Sequence, residues 1–135
     1  MKYLFTLLIF ISSLVAELPP QVYDKMKAIS PEILKVLVLH VNKHGENVDA
    51  YAKVIKVQRS VSEFKAGDEI SIRYIIPNRL IGWVGPSSAV LLHKDEEYTA
   101  FLKCVHRECS LAAKGKSFSK SPYQGQIKDV PQTEF

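Results

Sequence analysis

The sequence predicts a mostly β domain: a small closed barrel of five to six strands with a short helix in front of it. Three observations carry this expectation. Apolar residues recur at period two in stretches rich in Val and Ile, the pattern of strands with one face against a core. Gly, Pro and Asp punctuate those stretches at short intervals. The longest stretch changes phase part-way along, as a strand must when it bulges at a barrel corner.

The elements follow in order. Residues Gln21 to Ser30 are expected to form a short helix, which Pro31 interrupts or follows with a new turn. Ile33 to Lys43 reads as the first strand. Leu34, Val36, Val38 and His40 fall on one face, and Ile33, Lys35, Leu37, Leu39 and Val41 on the other. His44-Gly45-Glu46-Asn47 is a hairpin turn in which Gly45 is free to take positive φ. Val48 to Val61 is a long second strand. Val48, Ala50, Ala52 and Val54 alternate, and the apolar positions then shift to Ile55 and Val57. A polar loop, Ser62 to Asp68, leads to a third strand with Ile70, Ile72, Tyr74 and Ile76 on one face and Glu69, Ser71 and Arg73 on the other. Pro77 ends it, because proline cannot donate to a ladder. After a loop from Pro77 to Pro86, a short strand is expected at Ala89 to His93 and a longer one at Tyr98 to Val105, with Tyr98, Ala100 and Leu102 facing one way. A hairpin at Cys104 to Cys109 leads into Ser110 to Ala113. From Lys114 onward the apolar content drops, and 114–135 reads as a polar, partly mobile tail.

Strands of this number, with a long coiled second one, suit a barrel of the OB type. Ala52-Lys53-Val54-Ile55-Lys56-Val57, the turn Lys65-Ala66-Gly67-Asp68-Glu69-Ile70 and the strand around Tyr98-Thr99-Ala100-Phe101-Leu102 resemble the netrin-like modules, a group that includes the tissue inhibitors of metalloproteinases. The resemblance spans roughly residues 33 to 105 and implies the fold only. Those inhibitors chelate the protease zinc through an N-terminal cysteine, whereas no cysteine precedes Cys104 here. The inhibitory activity is therefore not implied.

The N-terminus predicts export. Lys2, an apolar run from Leu4 to Ile11 broken only by Thr6, and the small residues Ser12, Ser13 and Ala16 make a secretory signal over residues 1–16. The run is shorter than the ~20 residues a membrane span needs. Cleavage after Ala16 leaves a lead-in at 17–32, a barrel at 33–113 and the tail. It also removes Lys2, one of 18 basic residues against 14 acidic, so the net charge falls from +4 to +3. Such a mild, scattered excess reads as solubility rather than the dense basic stripe of a nucleic-acid binder. Export permits a disulfide between Cys104 and Cys109, pinning their hairpin.

Catalytic patterns are missing. His40 and His44 on one strand lie ~13 Å apart, too far to share a metal. Cys104, His106, Glu108 and Cys109 sit too close in sequence for tetrahedral zinc. Asp95, Glu96 and Glu97 are contiguous and diverge rather than converging on one bond. No metal or cofactor is expected. The one distinctive segment is the loop with Arg79 and Trp83, the only tryptophan. Trp83 either caps the barrel or stacks on a ligand, with Arg79, and Arg73 from the exposed face of the third strand, supplying charge. The expected function is an exported, non-enzymatic interaction module for a protein, a peptide or an envelope glycan. The alternatives are a small envelope hydrolase, which would need a constellation assembled by the fold, and an exported OB-fold nucleic-acid binder.

Overall fold

The computed structural model describes residues 19–77 and 89–129. The signal segment at 1–16 lies outside the described residues. Among the described residues one helix, α1 (Pro20–Ala28), precedes six strands: β1 (Glu32–His44), β2 (Asn47–Ser60), β3 (Glu69–Ile75), β4 (Glu97–Val105), β5 (Glu108–Leu111) and β6 (Phe118–Ser119). The order β1-β2-β3-β5-β4 closes because β4 also pairs with β1. All barrel pairings are antiparallel except β3 with β5. This is a closed five-stranded mixed barrel plus one added strand, consistent with an OB-like fold. Among the described residues no helix is long and apolar enough to cross a membrane.

Pro20 opens α1 where its missing N–H is no loss. Lys25 and Lys27 lie in the last turn, where the helix dipole favours cations. Ser30 Oγ donates to the Met26 carbonyl at 2.7 Å, and Pro31 prevents continuation.

The interior is built by the predicted alternation. Leu34, Val36 and Val38 of β1, Val48, Ala50, Ala52 and Val54 of β2, Ile70, Ile72 and Tyr74 of β3, and Tyr98, Ala100 and Leu102 of β4 form one buried cluster. The phase change in β2 is a pair of bulges. Val36 faces Val54 and Lys35 faces Lys56, so Ile55 is skipped; Gln58 is skipped in the same way between Val57 and Arg59. The extra residue turns Val57 toward the core, where it packs opposite Leu34.

A third irregularity corrects the reading of β1. Leu39 is skipped between Val38 and His40, so His40 does not share the face of Leu34, Val36 and Val38. It is exposed, and Val41 packs on the core instead. The far half of β1 is accordingly less covered than the near half.

Ala89 to His93 is not a strand. Its backbone is satisfied by a side chain: the Tyr74 hydroxyl donates to the Val90 carbonyl at 2.8 Å and accepts from the Leu92 N–H at 3.2 Å. Ala89 and Leu92 are buried while Val90 and Leu91 are exposed, a spacing of three rather than two. Burial pushes the Tyr74 hydroxyl above the ordinary tyrosine range.

The segment after Lys114 is docked rather than loose as far as it is described. A 3-10 turn at Lys114–Lys116 brings fully buried Ser117 against β4, where its carbonyl accepts the Phe101 N–H at 2.8 Å. Phe118 and Ser119 pair with Ala100 and Thr99. Phe101 points out of the barrel into a second apolar cluster with Ile33, Ala113, Met26 and Tyr123. Tyr123 meets the Phe101 ring edge-on at 5.1 Å. A few well-placed apolar residues hold this segment, so its average composition misleads.

A candidate binding face

The outer face of β1–β2–β3 is set by the strand register. One row across it reads His40, Tyr51, Ser71 and the next reads Asn42, Asp49, Arg73. Tyr51 alternates with fully buried Ala50 and Ala52, so its ring is forced outward and is 45% exposed. The His40 ring stacks on it, with centroids 6.3 Å apart and planes at 28°. His40 Nε2 is 3.1 Å from Asn42 Oδ1. Arg73 Nε is 3.3 Å from Asp49 Oδ1, and the guanidinium remains well exposed. Beside this row lies an open hollow of about 810 Å³ that Arg73, Asp49, Asn47, His44 and exposed Ile75 help to line.

Of the predicted ligand residues, Arg73 lies on this exposed face as expected. Arg79 and Trp83 lie outside the described residues. The structure adds Tyr51, which sequence reasoning passed over, and His40, which it weighed only as a metal ligand. The signal was available for Tyr51, a large aromatic at an outward position of a strand whose other face is Val and Ala. It was not available for His40, because the bulge at Leu39 reverses its face.

The cysteine prediction holds. Cys104 and Cys109 are joined, with Cα atoms 4.0 Å apart in directly paired positions of β4 and β5. Glu32 is buried at the start of β1. Its Oε1 accepts from Ser60 Oγ at 2.8 Å and from the Ser62 N–H at 2.9 Å, tying β1 to the end of β2. Ser60 Oγ in turn accepts the Phe64 N–H at 2.8 Å. Among the described residues no three His, Cys, Asp or Glu side chains group to hold a metal ion.

No protein-family model matches the chain, and no curated protein does either. The OB-like barrel is what the structure supports, and no family match supports the netrin-like resemblance.

Proposed function

We propose that this chain is an exported, non-enzymatic binding module that presents the outer face of β1–β3 to a glycan of the cell envelope. The exposed Tyr51–His40 stack carries the reading. An exposed aromatic ring on a rigid sheet offers a platform for the C–H face of a sugar at little entropic cost. The neighbouring Asn42, Asp49 and Arg73 supply the donors and acceptors that hydroxyl groups require. The corresponding face of OB barrels is a recurrent site for oligosaccharides. Acidic Asp49 and Glu69 interleave with the basic residues on this face, which weighs against a nucleic-acid ligand. The signal-like N-terminus and the disulfide support export.

The test is calorimetric titration of the purified protein with a panel of envelope oligosaccharides. Tyr51→Ala is expected to weaken the binding sugar by roughly tenfold, about 1.4 kcal/mol, while shifting stability by no more than about 0.5 kcal/mol. Wild-type protein that binds none of the sugars, or binds them unchanged after Tyr51→Ala, would reject this face. Turnover of any sugar would favour the hydrolase instead.

A further inference from the structure

We propose a second site, independent of the sugar-binding reading: an oxyanion pocket where β1, β2, β4 and the segment after β6 meet. Lys35, Lys56, Gln58, Thr99 and Lys120 line a concave cavity of about 140 Å³. That is ample for one carboxylate, sulfate or phosphate group with its water, since ~10–15 Å³ of such space holds one water molecule.

The pocket is a product of the β2 bulge. If the ladder ran on regularly from Val36 opposite Val54, Lys35 would face Ile55 and Lys56 would point inward opposite Leu34. Skipping Ile55 sends Val57 to the core and turns Lys56 outward, directly across from Lys35. Two like charges opposite each other destabilise a strand pair. Lys120, from beyond β6, adds a third ammonium.

The acids present compensate two of the three. Glu97 lines the pocket and lies 3.6 Å from Lys35. Glu96 takes Lys120 at 2.7 Å, and that ammonium, with the Tyr98 hydroxyl, holds the Glu96 carboxyl below its ordinary range. The same Lys120 ammonium rests 4.2 Å from the centre of the Tyr98 ring, which fixes it at the rim. Lys56 has no acidic partner among the described residues. An oxyanion between Lys56 and Lys35 relieves their repulsion and accepts charge-assisted hydrogen bonds from both. The site lies ~15 Å along β1 from His40, so it is separate from the stacked rings.

The chemistry fits a free inorganic anion or an anionic substituent on a polymer, and NMR titration of backbone amides separates the two. Inorganic phosphate, sodium sulfate and a short oligogalacturonate are each added at constant ionic strength against chloride. Saturable shifts are expected at Lys35, Lys56 and Thr99 with all three. Lys56→Gln is expected to weaken binding about tenfold or more, the loss of one hydrogen bond to a charged group. Lys43→Gln, on the far half of β1, leaves it unchanged. Tighter binding of the oligomer than of either inorganic ion identifies a polymer-borne carboxylate; equal or weaker binding identifies a free anion. Shifts that never saturate, or that are the same in wild type and Lys56→Gln, mean general screening and overturn the site. A fully folded Lys35→Gln variant that binds as tightly as wild type also overturns it. None of these readouts uses Tyr51, so loss of the sugar reading leaves this result standing.

Discussion

Gly45-Glu46 and His106-Arg107 each join antiparallel strands through two residues, and in each pair the first has positive φ: +60° for Gly45 and +58° for His106. At Gly45 no Cβ opposes that conformation. The ladder behind it is long, running back from His44–Asn47 to Glu32–Ser60. The Glu46 carbonyl also accepts the Ile76 N–H at 2.8 Å, tying the tip to β3. At His106 a side chain sits where L-residues are disfavoured, although histidine tolerates the region better than most. The ladder behind it has only four residue pairs. The disulfide spans the second pair back from the turn, behind Val105–Glu108. A hairpin with favourable turn chemistry and a long ladder holds itself; one with neither is closed covalently.

The position of the second hairpin explains why closure matters there. β5 meets β3 in just two register pairs, Ser71–Glu108 and Ile72–Cys109, the shortest seam of the barrel. Arg107 reinforces it: its carbonyl accepts the Ser71 N–H at 2.9 Å, and its guanidinium lies 3.8 Å from Asp68. Buried Cys109 belongs to both the seam and the disulfide. Replacing Cys104 and Cys109 together by serine is therefore expected to give the largest loss, about 2 kcal/mol from loop closure over so short a ring. Amide exchange at Ser71 and Ile72 should accelerate before exchange in β1 and β2. Urea unfolding with hydrogen exchange measures both. Uniform acceleration across the barrel would mean that the bridge acts on the unfolded chain alone and not on the seam.

Gly45→Ala probes the other hairpin. A Cβ built there meets nothing within 4 Å, so the cost is purely one of backbone conformation, about 1–2 kcal/mol. The loss is expected to appear as a lower urea midpoint with an unchanged slope. Because the Tyr51–His40 stack lies on the same hairpin, its ring-current shifts report whether the register survives. No change in midpoint would show that the turn is not held at positive φ in solution.

The two hairpins also divide what was legible in the sequence. Gly45 between alternating strands named its turn outright, and the shift from Val54 to Ile55 and Val57 named the bulge. The Cys104–Cys109 spacing named the bridge. The skipped Leu39 was invisible, because Leu, His and Val fit either phase and the choice is made by tertiary packing of Val41. The strand expected at Ala89 to His93 failed because one buried hydroxyl, that of Tyr74, replaces a ladder, and no local pattern announces that. The docked segment after Lys114 was hidden by its polar average. The Tyr51 face was half legible, since its outward direction followed from Ala50 and Ala52 while its His40 partner did not. The pairing of Lys35 with Lys56 required the register, which a strand's own sequence does not contain.

The smallest expected effect is the most direct test of the contrast. His106→Gly removes the Cβ from a left-handed position, relieving roughly 1–2 kcal/mol, and loosens the unfolded chain by about 0.4–1 kcal/mol. The net gain should be about 0.5–1 kcal/mol. His106 is exposed, so no lost packing offsets it. The gain should be larger in the Cys104→Ser, Cys109→Ser background, where the turn residue alone must set the hairpin. Thermal unfolding of the four combinations forms a double-mutant cycle. If His106→Gly gains equally with and without the bridge, turn chemistry and covalent closure act independently. If it destabilises both, the imidazole contributes something to the native state that its exposure hides.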